Sequence, residues 1–258
     1  MEIVDIESAK SEFLKYADLY DMTNKRIYSK KYHSLRVMEI SNKLAQELNL
    51  SEEEIEVATL IGLLHDIARF EQCSRFPGFK DTKIFDHGDV GVEILEKDNF
   101  IRKFIKNDKY DDIIKVAIKN HNKFEIEEGL TDIQNKFCKL IRDADKIDIF
   151  FQGVNNIWNQ EEGQMEESKL NSKVKKEFDD KKSILSKNNE KIEYADKLLQ
   201  FLSFVFDLNY KPSFKILNKE KYIEKMLGRF EFKDEYTRKE MLKAKEETIQ
   251  YILKKIQE

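Results

Sequence analysis

Four histidines, His33, His65, His87 and His121, stand in a chain of 258 residues, and each falls in register with an apolar helical row. His33 leads Val37, Ile40, Leu44 and Leu48. His65 continues Ala58, Ile61 and Leu64. His87 opens a row with Val90, Gly91 and Ile94, and His121 ends the row Ile114, Ala117, Ile118. A single inward histidine is usually a hydrogen-bonded core residue. Four of them together with inward carboxylates ask for another explanation. Asp66 adjoins His65 in "LIGLLHDIARFEQ". In "KLIRDADKIDIF", Phe137, Ile141 and Asp145 are spaced at intervals of four, with Asp148 three further on and Asp143 off that line. The spacing selects Asp145 as the buried carboxylate, with Asp143 and Asp148 behind it. Burying an ionisable His-Asp pair costs free energy unless something compensates. Imidazole and carboxylate together suit divalent first-row metals, whose charge offsets that cost. These residues therefore predict a metal site.

The elements that position them read as helices. With 2 Pro and 8 Gly, and Leu, Ile, Lys and Glu at helical spacing, the chain is predicted to be all-α. Helices are expected at 8–22, from about Lys31 to Leu48, and after Ser51. There "SEEE" forms a capping box with Glu54 three residues on. Further helices are expected at about 87–97, 99–106, 111–121 and 131–150. The stretch 73–86, with Pro77 and Gly78, reads as a loop. After Gly153 the texture turns polar. "YADKLLQFLSFVFDLNY" then restores an apolar helix, and a last amphipathic helix is expected at 234–257. The expected organisation is one all-α domain over 1–258. It has a core at 28–150 and a C-terminal helical extension, 160–258, packed on it.

The ordered set His33, then His65-Asp66, then Asp145 resembles the HD-domain superfamily of metal-dependent phosphohydrolases. It is carried by "HSLRVMEISNKLAQEL", "ATLIGLLHDIARF" and "KLIRDADKID" across residues 28–150. The resemblance implies a helical bundle in which His33, His65, Asp66 and Asp145 hold one metal. His87 and His121 lie in the interval where two-metal members carry extra histidines. It therefore implies a dinuclear centre with Asp66 bridging, and the ligand types do not choose among Mn, Fe, Mg, Ni and Co. Two departures bear against the branch that hydrolyses cyclic dinucleotides: "KNHNKF" has Asn120 before His121, and a Gly-Tyr-Pro text is missing. The family's HD-Ile-Gly-Lys becomes "HDIAR", where Arg69 still presents positive charge three residues after Asp66, in a planar fork suited to phosphate.

The implied activity is hydrolysis of a nucleotide or other small phosphoester by a metal-activated hydroxide. Asp66 and Arg69 would be the catalytic residues, and Arg69, Arg36 and Lys83 would bind substrate. Arg36 could instead tie down a ligand carboxylate. Arg75, Lys80 and Lys83 precede His87 and read as substrate contacts or equally as plain surface charge, and Glu71 and Gln72 as residues that orient water or substrate or equally as helix-end polar residues. Proteins resembling this family also include diiron oxygenases of small molecules, so the alternatives are such an oxygenase or a non-catalytic nucleotide-binding module.

Charge narrows the partners. Charged residues make up 37% of the chain, yet 46 basic and 50 acidic side chains leave a net charge of only -4. Signs alternate along nearly every helix, as in "KVKKEFDDKK". No cluster exists to neutralise the successive phosphates of a long nucleic acid, and none to seat the protein on a membrane. "MEIVDIESAK" lacks a basic start and an apolar core, and no apolar run approaches a membrane span. Cys73 and Cys138 are isolated and read as reduced thiols. A cytoplasmic protein is expected.

Overall fold

The computed structural model describes residues 3–76, 81–82, 84–155, 162–181 and 193–258. Among these, every regular element is helical, and the extended backbone pairs only in a single antiparallel bridge, Thr82 to Phe85. The all-α reading holds. No helix among them is long and apolar enough to cross a membrane. The chain divides into two compact units, 1–145 and 146–258, with the boundary inside one long helix.

The first unit contains α1 (Ile6–Ala17), α2 (Lys25–Glu47), α3 (Glu52–Leu64), α4 (Ala68–Arg75), α5 (His87–Glu96), α6 (Asp111–Asn120) and the first part of α7 (Asp132–Val154). Polar caps set the starts. The Asp5 side chain accepts the Ser8 N–H at 2.9 Å, which begins α1 two residues earlier than its apolar row suggested. Asn24 accepts from the Arg26 N–H at 3.0 Å and begins α2 six residues earlier. Ser51 and Glu54 form the expected capping box on α3. The expected helix at 99–106 is instead a 3-10 stretch, Lys97–Lys103, interrupted at its start. Asp98 (φ 52°) and Asn99 (φ 56°) take left-handed backbone, which short polar side chains tolerate and which stops an α-helix. The expected loop from residue 73 is shortened by α4.

At the centre of this unit α3 is buried almost all round. Val57, Leu60, Ile61, Leu63 and Leu64 are at most 1% exposed, each stabilising the fold by about 1.5–3 kcal/mol. α2 packs along it, and Gly62 permits the approach. A Cβ there would lie 2.6 Å from Ser41 Oγ and 2.8 Å from the Val37 carbonyl. Phe13 and Phe70 meet edge to face with centroids 5.7 Å apart, which fastens α1 to α4.

The second unit holds the rest of α7, α8 (Glu162–Glu167), α9 (Ser172–Asp179), α10 (Tyr194–Ser203), a 3-10 turn (Phe204–Asp207), α11 (Lys211–Glu220), α12 (Tyr222–Leu227) and α13 (Glu235–Gln257). α13 packs on α10, α11 and α12, and its Tyr251 meets Phe206 with centroids 5.0 Å apart. Buried polar groups are matched here. The Leu170 N–H donates to Thr237 Oγ1 at 2.9 Å, and the Ala195 N–H donates to Ser168 Oγ at 2.6 Å.

Candidate metal centre

Five segments of the first unit bring six side chains together. His33 sits in mid-α2. His65 caps the C-terminus of α3, and Asp66 follows in the tight turn into α4. His87 is the first residue of α5, His121 caps the end of α6, and Asp145 lies on α7. In a regular helix adjacent residues point about 100° apart. Between α3 and α4 the backbone tightens, with Ile67 N–H donating to the Leu64 carbonyl and Arg69 N–H to that of Asp66. His65 and Asp66 consequently face one centre. The α5 terminus is set by Asp86, whose side chain accepts the Gly88 N–H at 3.0 Å. Gly88 lets α5 approach α6, since a Cβ would lie 2.4 Å from Asn122 Oδ1 and 2.8 Å from the Lys119 carbonyl.

The donors form two groups that share Asp66. In the first, His33 Nε2 lies 3.2 Å from His65 Nε2, 3.3 Å from Asp66 Oδ2 and 3.1 Å from Asp145 Oδ1. His65 Nε2 lies 3.6 and 3.8 Å from the same two oxygens. In the second, His87 Nε2 and His121 Nε2 are 3.0 Å apart and lie 3.4 and 3.5 Å from Asp66 Oδ1. Most of these separations are near those of a shared coordination shell, in which donors about 2.1 Å from one ion lie about 3.0 Å apart in cis octahedral and about 3.4 Å apart in tetrahedral arrangement; the two contacts of His65 are longer.

His87 Nδ1 faces the Asp81 carboxylate at 2.7 and 2.8 Å, and His121 Nδ1 faces the Ile118 carbonyl at 2.6 Å. The carboxylate and the carbonyl only accept, so in the neutral rings each Nδ1 carries the hydrogen and each Nε2 presents a lone pair; Asn122 Nδ2 also lies 3.1 Å from His87 Nδ1. Two lone pairs and a carboxylate oxygen then converge with no donor among them. Burial, together with the Arg69 charge, pushes His87 down to about 4, so at neutral pH it stays uncharged. His65 follows the same pattern. Its Nδ1–H donates to the Gly62 carbonyl at 2.8 Å, and burial pushes it down to about 3. Such a set is satisfied by a cation, and imidazole with carboxylate is the donor chemistry of divalent first-row metals.

The carboxylates are held ionised. Burial would raise Asp66, but Lys30 and the imidazoles keep it well below the usual carboxylate range. Burial is likewise outweighed at Asp145 by His33 and His65, and at Asp81 by His87 and Arg69. The order of burial within "RDADKID" differs from the one expected. Asp143 and Asp148 are fully buried, whereas the Asp145 side chain is 19% exposed. The four-residue spacing gave its direction but not its depth.

Arg69 lies against this centre, with Nε 3.4 Å from Asp66 Oδ1 and Nη1 3.6 Å from Asp81 Oδ1, and it also donates to Gln72 Oε1. Gln72 is no exposed helix end. It is buried and donates to Asp81 Oδ1 at 3.0 Å. Arg75 pairs with Glu71 on the surface. Arg36 is half-buried one turn after His33. Lys80 and Lys83 lie outside the described residues.

Sequence reasoning missed three neighbours of the centre. Lys30 Nζ lies 2.6 Å from Asp66 Oδ2. It stands three residues before His33, and reading Asn24 as a cap would have put both on one helix face. Asp81 and Asn122, whose Nδ2 donates to Asp86 Oδ1 at 2.8 Å, carry no comparable local signal.

Residues 31–149 match the family model described as HD domain. This segment matches the HD domain, and the match supports membership of the HD-domain superfamily, whose members are generally metal-dependent phosphohydrolases. The groups His33–His65–Asp66 and Asp66–His87–His121 are compatible with that chemistry. No curated protein and no solved structure matches the chain.

Proposed function

We propose that the protein is a phosphohydrolase that acts on a nucleotide or another small phosphoester at a dinuclear metal centre. One observation carries the reading: the two oxygens of Asp66 face two separate histidine pairs, as a bridging carboxylate must. His33, His65, Asp66 and Asp145 would hold one ion, and Asp66, His87 and His121 the other. When bound, divalent ions supply Lewis acidity toward a phosphoryl oxygen and a water nucleophile of lowered pKa.

The protein's own groups prepare that chemistry. Asp81, Gly62 and Ile118 fix the imidazole tautomers through Nδ1 and leave each Nε2 free to ligate. Arg69 keeps positive charge beside the pocket, where charge builds on the transferring phosphoryl group, and Arg36 flanks the substrate one turn after His33. Water adds to phosphorus as the bond to the leaving oxygen breaks, and the released proton ends on that oxygen. A small substrate is favoured because few cations stand at the centre among the described residues, while Lys alternates with Glu and Asp elsewhere.

Metal analysis of anaerobically purified protein, followed by a phosphoester panel under air and under argon, tests the reading. The expected result is bound divalent metal and phosphate release independent of oxygen. Turnover that requires oxygen would assign the site to an oxygenase, and metal-free protein with full activity would remove the centre altogether.

A further inference from the structure

We infer that Lys30 is a cation built against the bridging carboxylate, and that it sets how tightly the His33–His65–Asp145 group takes its ion. The inference rests on the metal-centre reading above and concerns a residue just outside the matched HD segment.

An ionised carboxylate offers about four lone-pair positions, two on each oxygen. On Asp66 each oxygen faces one histidine pair and one cation of the chain. Oδ1 has His87, His121 and Arg69 Nε, the last at 3.4 Å. Oδ2 has His33, His65 and Lys30 Nζ, the last at 2.6 Å. The two sides are unequal. Lys30 makes the shorter contact, and its ammonium is a compact charge where guanidinium is spread. Its side chain is 18% exposed and that of Asp66 3% exposed, so water screens the pair little. Lys30 reaches this place because the Asn24 cap starts α2 early enough to put it one turn before His33.

Two consequences follow. Lys30 draws charge from the oxygen that must also ligate and repels a second cation beside it, which weakens binding at the first group. It also compensates the buried Asp66 charge before any ion binds, which protects the metal-free fold. Lys30 thereby makes the ion exchangeable at little cost to the empty protein.

The experiment titrates Mn²⁺ alone, with no substrate, against wild type, Lys30→Met, Lys30→Gln and Lys30→Arg. It uses calorimetry with a competing chelator and reads the melting temperature with and without the ion. Lys30→Met and Lys30→Gln are expected to bind the first ion about tenfold tighter or more, melt lower when metal-free, and gain a larger rise in melting temperature on adding Mn²⁺. Gln keeps an N–H donor without charge, so it separates charge from hydrogen bonding. Lys30→Arg keeps the charge and is expected to stay closer to wild type than either neutral variant. Unchanged or weaker binding in both neutral variants would overturn the Lys30 inference while leaving the metal centre intact. Failure of wild type to bind Mn²⁺, with His65→Ala indistinguishable from it, would overturn the metal centre and the inference together.

Discussion

Asp81→Asn is a sharp perturbation because it changes one atom and inverts a hydrogen-bond pattern. Asp81 receives the His87 Nδ1–H on both oxygens, at 2.7 and 2.8 Å. Its Oδ1 also accepts from Gln72 at 3.0 Å, and its Oδ2 from Asn122 at 3.3 Å. Every group around it donates. An asparagine amide keeps one oxygen and turns an NH₂ toward donors on its other side. If that NH₂ faces His87, the imidazole hydrogen moves to Nε2, and the lone pair that should ligate is lost. If the oxygen stays on His87, a neutral acceptor replaces a charge-assisted one of about twice the strength. Disrupting such an outer partner weakens metal binding by about 10–100-fold. The Asp81 side chain is 29% exposed, so water relieves part of the conflict, and a loss near tenfold, about 1.4 kcal/mol, is expected. The loss should fall on the His87–His121 group and spare the His33–His65–Asp145 group. Asp81→Ala admits water as an acceptor and should cost less than Asn. Calorimetric titration with Mn²⁺, resolving the two binding steps, is the assay. Equal weakening of both steps, or an Asn variant that binds like wild type, would refute the reasoning.

Asp66→Ala should lose both ions, whereas His121→Ala should lose only the second; elemental analysis showing wild-type stoichiometry in Asp66→Ala would mean that the carboxylate does not bridge. Arg69→Lys should retain part of the turnover and Arg69→Gln little, with metal content kept in both, and a fully active Gln variant would make the charge irrelevant. Gly62→Ala drives a Cβ against Ser41 Oγ and the Val37 carbonyl, so α2 and α3 must separate, and urea denaturation should report about 1–3 kcal/mol lost. Burial holds His65 at about 3 and His87 at about 4, against 6.5 when unfolded. The unfolded imidazoles therefore take protons that the folded ones refuse, and stability, full above pH 6.5, falls as pH drops toward 4. For chelator-treated protein each should cost about 2 kcal/mol at pH 5, and a urea midpoint unchanged between pH 7 and 5 would count against it.

The sequence by itself determined the helical class, the capping box at Ser51 and the inward direction of the four histidines. Those properties depend on neighbours within one or two turns, where a 3.6-residue period fixes which side chains share a face. It also carried the resemblance later matched over residues 31–149, because the His, His-Asp and Asp texts are short and ordered along the chain. Its errors were local as well. The apolar rows located α1 and α2, but the polar caps Asp5 and Asn24 set where they begin, and left-handed Asp98 and Asn99 interrupted an apparent helix.

Only the tertiary structure decided the rest. Which oxygen of Asp66 faces which histidine pair, the depth of Asp145 relative to Asp143 and Asp148, and the arrival of Lys30 and Asp81 all depend on how α2, α4, α5 and α7 converge. Periodicity gives each side chain an angle about its own helix axis. Distances near 3 Å between residues 32 to 112 positions apart are set by how those axes pack, as at the close approach of α2 to α3 over Gly62.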